Sequence, residues 1–435
     1  MAKGVAPDQL EPSILVIFGI TGDLSQRYLL PALYRLIKSG QLPKQTVILG
    51  ISRRQVEIAG VINEDRLCAN EADTECDPEI LKDLRDRTTM FQMDLDDPAA
   101  YDALLEKLND IETDKGICLN RLYYLSIPPK AYDTVVRLLG ERGLNASCQH
   151  DNAVTRLLVE KPFGHDLRSA QELIAETARH FKEDQIYRID HYMPKPAVLD
   201  LLNSRLNDPD LETIWNGEHI ASIEIAAKET IGIEGRAEFY DPVGALRDFV
   251  QSHLVQILGM VVMARPTSLD SDHLHAVKEA GLEQITPVPA DEVDNRALRG
   301  QYVGYRQEVG NPESITETFA AVTVYSQDGR WQGTPITMVT GKALNERVTR
   351  IAAKLKQPLA SGETEIAWSS QGGNTYERVL LDAIKGDRTL FASSQEILAS
   401  WQILQPVLDA WQQSDKGLVF YEPGSAGPQS ESAKL

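Results

Sequence analysis

The chain is poor in cysteine, in basic residues and in long apolar runs, and each shortage excludes a class of protein. Only four of its 435 residues are cysteines (Cys68, Cys76, Cys118 and Cys148) and none forms a CxxC pair, so we expect four free thiols and no zinc site. No run of about 18 apolar residues occurs, which argues against a membrane-spanning helix. Acidic residues outnumber basic ones by 64 to 44, and the formal net charge of -20 argues against a nucleic-acid-binding protein.

The remaining composition is that of an ordinary globular protein, with 42% hydrophobic and 25% charged residues. A chain of 435 residues exceeds the size at which one core stops growing, so two or three domains are predicted. The opening "MAKGVAPDQLEPS" lacks the apolar stretch of a secretory signal. We therefore expect a flexible arm over residues 1–12 and a cytoplasmic protein.

The first half of the chain alternates between strand and helix patterns. "SILVIF" is an apolar strand followed by a glycine turn, an amphipathic helix and a second apolar strand, "TVILG". Further strands are predicted at "TTMFQMDL" and "RLYYLSIPP". Uninterrupted apolar strands joined by helices are typical of a parallel sheet covered on both faces, so an α/β domain is predicted over residues 13–188.

The second half changes to period-two strands. "HIASIEIAAKET", "ETFAAVTVYS" and "TPITMVTGKAL" alternate in this way, and one long helical stretch, "GALRDFVQSHLVQILGMVVMAR", lies among them. This pattern predicts an α+β domain over residues 189–423. The small, polar residues after it favour a flexible tail over residues 424–435.

A glycine turn follows the first strand in "FGITGDLSQR". Gly19 and Gly22 allow a tight turn in which helix amides can hold a pyrophosphate, with Asp23 as the expected N-cap, although such a turn is equally often only structural. The second strand ends in "GISRR", where many NAD-binding folds place an acid. Arginine pairs with a 2'-phosphate, so Arg53 and Arg54 favour NADP over NAD, unless they are simply solvated.

Seven segments together carry a family resemblance. "FGITGDL", "NRLYYLSIPP", "EKPFG", "RIDHY", "KETIGIEGR", "DPVGALRDFVQSHLVQ" and "GKALNER" occur in the order seen in glucose-6-phosphate dehydrogenases. The chain resembles that family from about Ile14 to Pro423. The resemblance implies oxidation of glucose 6-phosphate at C1 to the 6-phosphogluconolactone with hydride transfer to NADP. It also implies a Rossmann domain joined to a large, mainly antiparallel sheet domain, through which two chains form a dimer.

The resemblance also implies a catalytic pair. His253 matches the general base for the C1 hydroxyl proton, which a neutral imidazole can accept near neutral pH. Asp190 matches the acid that fixes the tautomer of this histidine and stabilises the imidazolium. Without the resemblance, a histidine on an amphipathic helix is more often a hydrogen-bonded core residue.

The substrate-binding residues that the resemblance implies are cationic groups for the phosphate and carboxylates for the sugar hydroxyls. The cationic and polar set is Lys161, His191, Tyr192, Lys195, Lys342 and Arg347. The carboxylates are Glu229 and Asp248. Taken alone, Lys161 is more simply an exposed lysine at a strand end.

The cofactor set that the resemblance implies lies in the first domain. Its members are Gly19, Thr21, Gly22, Asp23, Arg27, Arg53, Pro128, Pro129 and Lys161. Thr21 and a single matching arginine leave room for NAD as a secondary cofactor. No metal is implied.

The chain departs from the family pattern in two places. Pro194 and Pro196 flank Lys195 and each removes a backbone donor, so we expect the start of the following helix to be reshaped around the lysine. Only residues 348–373 separate "GKALNER" from the following helix, where the family has a longer run of strands. This shortening removes sheet from the domain through which the family forms its dimer.

Two other functions stay open at this point. One is dehydrogenation of another hexose 6-phosphate, which would keep Lys195 and Lys342 but change the contacts from Glu229 and Asp248. The other is a non-catalytic nucleotide-binding paralogue, which the retained His253 and Asp190 disfavour.

Overall fold

The computed structural model describes residues 10–68, 76–147, 153–372, 375–412 and 415–428. The chain divides into two compact units. The first unit comprises Met1–Lys161, Glu172–His191 and Asn374–Phe391. The second comprises Pro162–Gln171, Tyr192–Gly373 and Ala392–Leu435.

The strands form one sheet in each unit. In chain order they are β1 Ser13–Phe18, β2 Val47–Ser52, β3 Thr88–Gln92, β4 Asn120–Leu125, β5 Thr155–Val159, β6 Ile186–Arg188, β7 Ile220–Lys228, β8 Ile285–Thr286, β9 Ala297–Tyr302, β10 Phe319–Ser326, β11 Ile336–Gly341, β12 Val348–Leu355, β13 Glu365–Ser370 and β14 Leu418–Tyr421.

The α-helices alternate with the strands in the first half and cluster between them in the second. In chain order they are α1 Leu30–Lys38, α2 Ile58–Val61, α3 Glu64–Leu67, α4 Pro78–Asp86, α5 Pro98–Lys115, α6 Tyr132–Glu141, α7 Leu167–Ala178, α8 Pro196–Asn207, α9 Pro209–Ile214, α10 Ala237–Tyr240, α11 Val255–Val262, α12 Ser271–Glu283, α13 Val293–Arg296, α14 Tyr305–Val309, α15 Tyr376–Lys385 and α16 Ser394–Gln412. Two π-helical segments, Ser25–Leu29 and Leu246–Leu254, lead directly into α1 and α11. Short 3-10 turns lie at Pro129–Ala131, Glu183–Gln185, Ala290–Glu292 and Gly329–Trp331.

The first unit is built on a parallel sheet with the strand order β3-β2-β1-β4-β5-β6. Every residue of β1 and of β4 is buried, as their unbroken apolar runs predict for central strands covered on both faces. The chain steps outward from β1 to β3 and then returns to the other side of β1 at β4, so the strand order reverses between β1 and β4. In such sheets the crevice at the carboxyl ends of the strands beside this reversal is the usual ligand site.

A late segment of the chain completes the core of the first unit. Tyr376, Leu380 and Phe391, on and after α15, belong to the same hydrophobic cluster as Leu15 and Ile17 of β1. Arg156 on β5 donates from its Nη1 atom to two carbonyls near the end of α15, both at 2.9 Å. The core of the first unit therefore includes residues more than 350 positions after β1 in the sequence.

The second unit is built on a mixed sheet whose main strand order is β13-β12-β7-β11-β10-β9-β14, with β8 pairing only to β10. The pairs β11 with β7 and β14 with β9 are parallel, and the other pairs are antiparallel. The fold class predicted from the sequence, a Rossmann-type domain followed by an α+β domain with a mainly antiparallel sheet, is confirmed.

The long helical segment that runs from Leu246 to Val262 is fixed at its carboxyl end by buried donors. Arg205 is fully buried, its Nε pairs with Glu212 at 2.6 Å, and its other nitrogens donate to three backbone carbonyls, those of Met260, Val261 and Met263. The last carbonyls of a helix have no partner within the helix, and side-chain donors satisfy them. The end of this helix is therefore held in one position in the core of the second unit.

The prediction that the cysteines are free thiols is wrong. Cys68 and Cys76 are buried beside each other in the core of the first unit and form a disulfide, with 5.7 Å between their Cα atoms. Cys118 is also disulfide-bonded, and Cys148 lies outside the described residues. The absence of CxxC pairs excluded a zinc pattern, but it does not report which cysteines the fold brings together.

No helix in the described part of the chain is both long and apolar enough to span a bilayer.

Candidate active site

The predicted phosphate turn follows β1 directly. Gly19 has a φ angle of +81°, and a Cβ atom placed on it would come within 2.2 Å of the Ser126 carbonyl oxygen. Gly22 donates its amide to the Gly19 carbonyl at 2.9 Å, which closes the turn. Only glycine satisfies both the backbone angle and the close approach. The turn therefore packs against the loop after β4, where the strand order reverses, and leads into the start of a helix.

The helix begins one residue earlier than predicted. Gly22, rather than Asp23, is the N-cap, because the Gly22 carbonyl accepts the first helical hydrogen bond from the Gln26 amide at 3.0 Å. Asp23 lies in the first turn and is 3.5 Å from Arg27 Nη1. Both side chains are largely exposed, as is Thr21, so all three are open to a ligand at this helix start.

The other predicted cofactor residues follow neighbouring strands. Arg53 is exposed and comes immediately after β2. Pro128 and Pro129 are exposed in the loop after β4. Because the strands are parallel, these loops and the glycine turn lie along the same edge of the sheet. An edge with a glycine turn and a helix start fits a dinucleotide.

Three more predicted residues and one unpredicted acid, Glu160, follow β5 and β6 at this edge. Lys161 is half-buried after β5, and Asp190 and His191 follow β6, with Asp190 buried. The His191 ring lies parallel to the Tyr376 ring of α15, with centroids 6.3 Å apart. The sequence patterns predicted no role for Tyr376, which reaches this edge only because α15 packs into the first unit.

Glu160 is the acid that the sequence patterns did not identify. Its Oε1 atom accepts a hydrogen bond from the Tyr124 hydroxyl at 2.5 Å, and Tyr376 is also hydrogen-bonded to its carboxyl. Burial raises the pKa of Glu160 to about 7, against the lowering effects of the tyrosine hydrogen bonds and of Lys161. Glu160 is thus an acid that changes charge near neutral pH, and it lies next to a predicted active-site lysine, Lys161.

In the second unit, the predicted base lies on a π-helical segment. His253 is 1% exposed, and Asp248 is buried on the same segment, Leu246–Leu254. The wider turn of a π-helix is frequent at functional sites because it shifts the direction of side chains. A Cβ atom on Gly244 would lie 2.4 Å from Glu317, whose carboxylate accepts from the Leu246 amide. The start of the segment is therefore tightly fixed.

Aromatic rings connect His253 to the predicted phosphate ligands. Its imidazole stacks on the Tyr192 ring with centroids 4.5 Å apart, and the Phe249 ring meets it edge-on at 5.6 Å. Lys195 Nζ lies 3.5 Å from the centroid of the Tyr192 ring. The same ammonium donates to Thr349 Oγ1 at 3.1 Å. The structure therefore brings Tyr192, Lys195 and His253 together.

The two prolines fit the local structure. Lys195 is the N-cap of α8 with extended backbone angles (φ −67°, ψ 144°), the geometry that a following proline favours. Pro196 is the first residue of the helix, where its missing amide costs no helical hydrogen bond. The prolines therefore fix the backbone of Lys195 rather than disrupting it.

Lys342 forms the second cationic centre. It is buried, its Nζ donates to Glu229 Oε2 at 2.6 Å, and it lies within 5.3 Å of the centroids of the Tyr240 and Phe249 rings. The Phe249 ring thus lies beside both the His253 ring and the Lys342 ammonium. Arg347 is exposed six residues after the end of β11.

Sequence reasoning missed Phe249, Tyr240 and Thr349, whose apolar or small side chains carry no chemical signature on their own. In the described residues, no three His, Cys, Asp or Glu side chains are grouped as metal ligands would be.

Comparison with known proteins matches both halves of the chain to one family. The family model "Glucose-6-phosphate dehydrogenase, NAD binding domain" matches residues 16–200. The model "Glucose-6-phosphate dehydrogenase, C-terminal domain" matches residues 202–363 and 363–435.

Similar proteins and solved structures carry the same description. The glucose-6-phosphate 1-dehydrogenase of Aggregatibacter actinomycetemcomitans is 35% identical over 96% of this chain and 94% of its own. That of Mycolicibacterium smegmatis is 32% identical over 97% of this chain and 95% of its own. A structure of a glucose-6-phosphate dehydrogenase in complex with glucose 6-phosphate superposes with a TM-score of 0.85 at 28% identity, covering 97% of this chain and 96% of that chain. The Mycobacterium avium enzyme gives a TM-score of 0.80 at 32% identity, covering 96% of both chains.

Proposed function

Since the chain belongs to the glucose-6-phosphate dehydrogenase family, we propose how its own residues carry out the family's reaction. The protein is an oxidoreductase that oxidises glucose 6-phosphate at C1 to 6-phospho-D-glucono-1,5-lactone. The bound nicotinamide supplies the hydride acceptor. The residues of the chain must bind the sugar phosphate, orient C1 and remove the proton of its hydroxyl.

His253 is the proposed general base. This role is supported by the surroundings of His253, which is buried and stacked on the Tyr192 ring. The Lys195 ammonium lies over the same ring. A neutral imidazole takes the C1 hydroxyl proton, and the aromatic stacking holds the ring in one orientation. Asp190 is proposed as the carboxylate that stabilises the imidazolium as hydride leaves C1.

Lys195 and Lys342 are the proposed main ligands of the 6-phosphate, with Tyr192, His191 and Arg347 as further donors. Two ammonium groups and several neutral donors match a phosphate dianion, and hydrogen bonds between charged groups are the stronger ones. Lys342 is paired with Glu229 at 2.6 Å, so the lysine is already oriented by the carboxylate proposed to accept from a sugar hydroxyl. Asp248 is the second proposed hydroxyl acceptor, and Lys161 is proposed to contact both substrate and cofactor.

NADP is the proposed preferred cofactor, with NAD as a secondary one. The exposed guanidinium of Arg53 after β2 supports this preference, because that position reaches the ribose of a dinucleotide in folds of this type. Gly19, Gly22 and the helix start at Asp23 would hold the pyrophosphate. Thr21, Arg27, Pro128 and Pro129 are the proposed flanking contacts.

A homodimer is the proposed assembly. Strand β13 forms one edge of the second sheet, and its residues alternate between exposed and half-exposed, so this edge offers surface to a second copy. Light scattering of the purified protein over a range of concentrations tests this proposal. A mass equal to that of one chain at every concentration would contradict it.

A steady-state assay of the purified protein tests the function and the cofactor preference together. The assay measures reduction of NADP and of NAD with glucose 6-phosphate, and then with the 6-phosphates of mannose, galactose and glucosamine. We expect the highest kcat/KM with glucose 6-phosphate and NADP. A higher kcat/KM with another hexose 6-phosphate would overturn the proposed assignment of the sugar contacts, and equal values with both dinucleotides would overturn the cofactor preference.

A further inference from the structure

The hydroxyl of Thr349 contacts the proposed phosphate ligand Lys195. Thr349 lies on β12, is 2% exposed, and its Oγ1 accepts from Lys195 Nζ at 3.1 Å. The two residues are 154 positions apart, and pairing of β12 with β7 places Thr349 opposite Ala227. The sheet therefore holds the threonine in a fixed position under the ammonium.

We propose that Thr349 is a positioning residue that directs the Lys195 ammonium toward the 6-phosphate of the substrate. This inference rests on the proposed role of Lys195 in phosphate binding. Thr349 itself is not proposed to take part in the chemistry at C1.

The backbone of Lys195 is already restrained, so the remaining freedom lies in its side chain. Pro194 and Pro196 limit the backbone on both sides, and the Lys195 amide donates to the Tyr192 carbonyl at 3.0 Å. A lysine side chain nevertheless has four rotatable bonds, and ordering it costs conformational entropy. Contacts that hold the ammonium before the substrate binds remove part of this cost from the binding step.

Two contacts of different kinds act on the ammonium. The Tyr192 ring attracts the charge over its face, a contact with no preferred direction parallel to the ring. The Thr349 hydroxyl supplies a directed acceptor at one side. Since Tyr192 also stacks on His253, the threonine sets the position of the phosphate ligand relative to the proposed base within the second unit.

The test is a double-mutant cycle of Thr349→Val and Lys195→Ala, read as kcat and KM for glucose 6-phosphate. Valine matches the shape of threonine without the hydroxyl. We expect Thr349→Val to raise the KM for glucose 6-phosphate about three- to tenfold, the range of an ordinary intramolecular hydrogen bond, because the ammonium keeps its contact with the Tyr192 ring. The kcat and the KM for the dinucleotide should be unchanged. Thr349→Ser should restore a KM near that of the unmodified protein.

The cycle separates this inference from the role of Lys195. Lys195→Ala should raise the KM more strongly, and Thr349→Val should add nothing in that background, because the residue acts through the lysine. If Lys195→Ala leaves the KM unchanged, the proposed phosphate role of Lys195 fails. If Lys195→Ala raises the KM but Thr349→Val has no effect, or has the same effect with and without the lysine, the positioning role of Thr349 fails.

Thr323→Val is the matched control. Thr323 is also a buried threonine of the same sheet, and its hydroxyl is hydrogen-bonded to Thr337 at 2.9 Å rather than to a lysine. This variant should lose comparable stability without a change in KM. Should Thr349→Val fail to fold, Thr349→Ala removes the same hydroxyl with less bulk and is judged by the same criteria.

Discussion

Replacing Glu160 with glutamine should make the first unit more stable at neutral and alkaline pH. Burial raises the pKa of Glu160 from its ordinary value of 4.5 to about 7, so the folded chain keeps this proton to a higher pH than the unfolded chain. Between these two values the folded state binds more protons, and its stability therefore falls as the pH rises. Glutamine resembles the protonated acid, since its carbonyl can accept from Tyr124 and its amide can donate to the Tyr376 oxygen.

The size of the effect follows from the difference between the two pKa values. Each pKa unit corresponds to about 1.4 kcal/mol, so ionising Glu160 in the folded state costs about 3 kcal/mol once the pH exceeds 7. Most of this cost appears between pH 5 and pH 8. For a unit of this size it corresponds to a Tm difference of roughly 6 to 12 °C between Glu160→Gln and the unmodified protein.

Thermal unfolding of both proteins at intervals from pH 5 to pH 8 measures this difference, and other titrating groups cancel in the comparison. Asp382→Asn is the control, because burial raises the pKa of Asp382 only to about 6. The Tm difference between Asp382→Asn and the unmodified protein should therefore stop changing at a lower pH than the difference for Glu160→Gln. A Tm difference between Glu160→Gln and the unmodified protein that stays constant across the whole range would refute the reasoning, since it would mean that Glu160 does not change charge in the folded state near neutral pH.

Three further predictions concern the proposed site. His253→Asn should abolish turnover while glucose 6-phosphate still binds, as measured by calorimetry; near-normal turnover would exclude this histidine as the base. Arg53→Ala should raise the KM for NADP at least tenfold more than that for NAD. Equal effects on both cofactors would contradict the 2'-phosphate contact, and Arg137→Ala, which removes another exposed arginine, should change neither value. Gly19→Ala should raise the KM for the dinucleotide strongly because of the clash at the turn. Gly40→Ala has a similar positive φ but open space around it, so it should cost about 1 kcal/mol of stability without a change in KM.

The elements that could be predicted from the sequence are those set by local patterns. The apolar run before Gly19 and the helical spacing after it predict the first strand, turn and helix, and period-two alternation predicts β7, β10 and β11. These patterns work because burial of one face of a strand or helix depends on residues only a few positions apart.

Features that depend on contacts between distant segments could not be predicted. The contact between Lys195 and Thr349 joins residues 154 positions apart, so it requires knowledge of which backbone segments lie side by side. The Cys68–Cys76 disulfide joins residues only eight positions apart, but spacing alone does not show that two cysteines are paired. The π-helical geometry around His253 was hidden for a different reason, because its apolar spacing resembles that of an ordinary α-helix. The family resemblance predicted the reactive residues but not the neighbours that contact them.

The return of α15 into the first unit has a consequence for the order in which the protein can fold. During synthesis, β1 to β6 emerge long before Tyr376, Leu380 and Phe391, which fill part of their core. The first unit therefore emerges from the ribosome incomplete and with exposed apolar surface. Its final packing waits until nearly the whole chain has been made. Apolar surface exposed in this way favours aggregation while the second unit is synthesised.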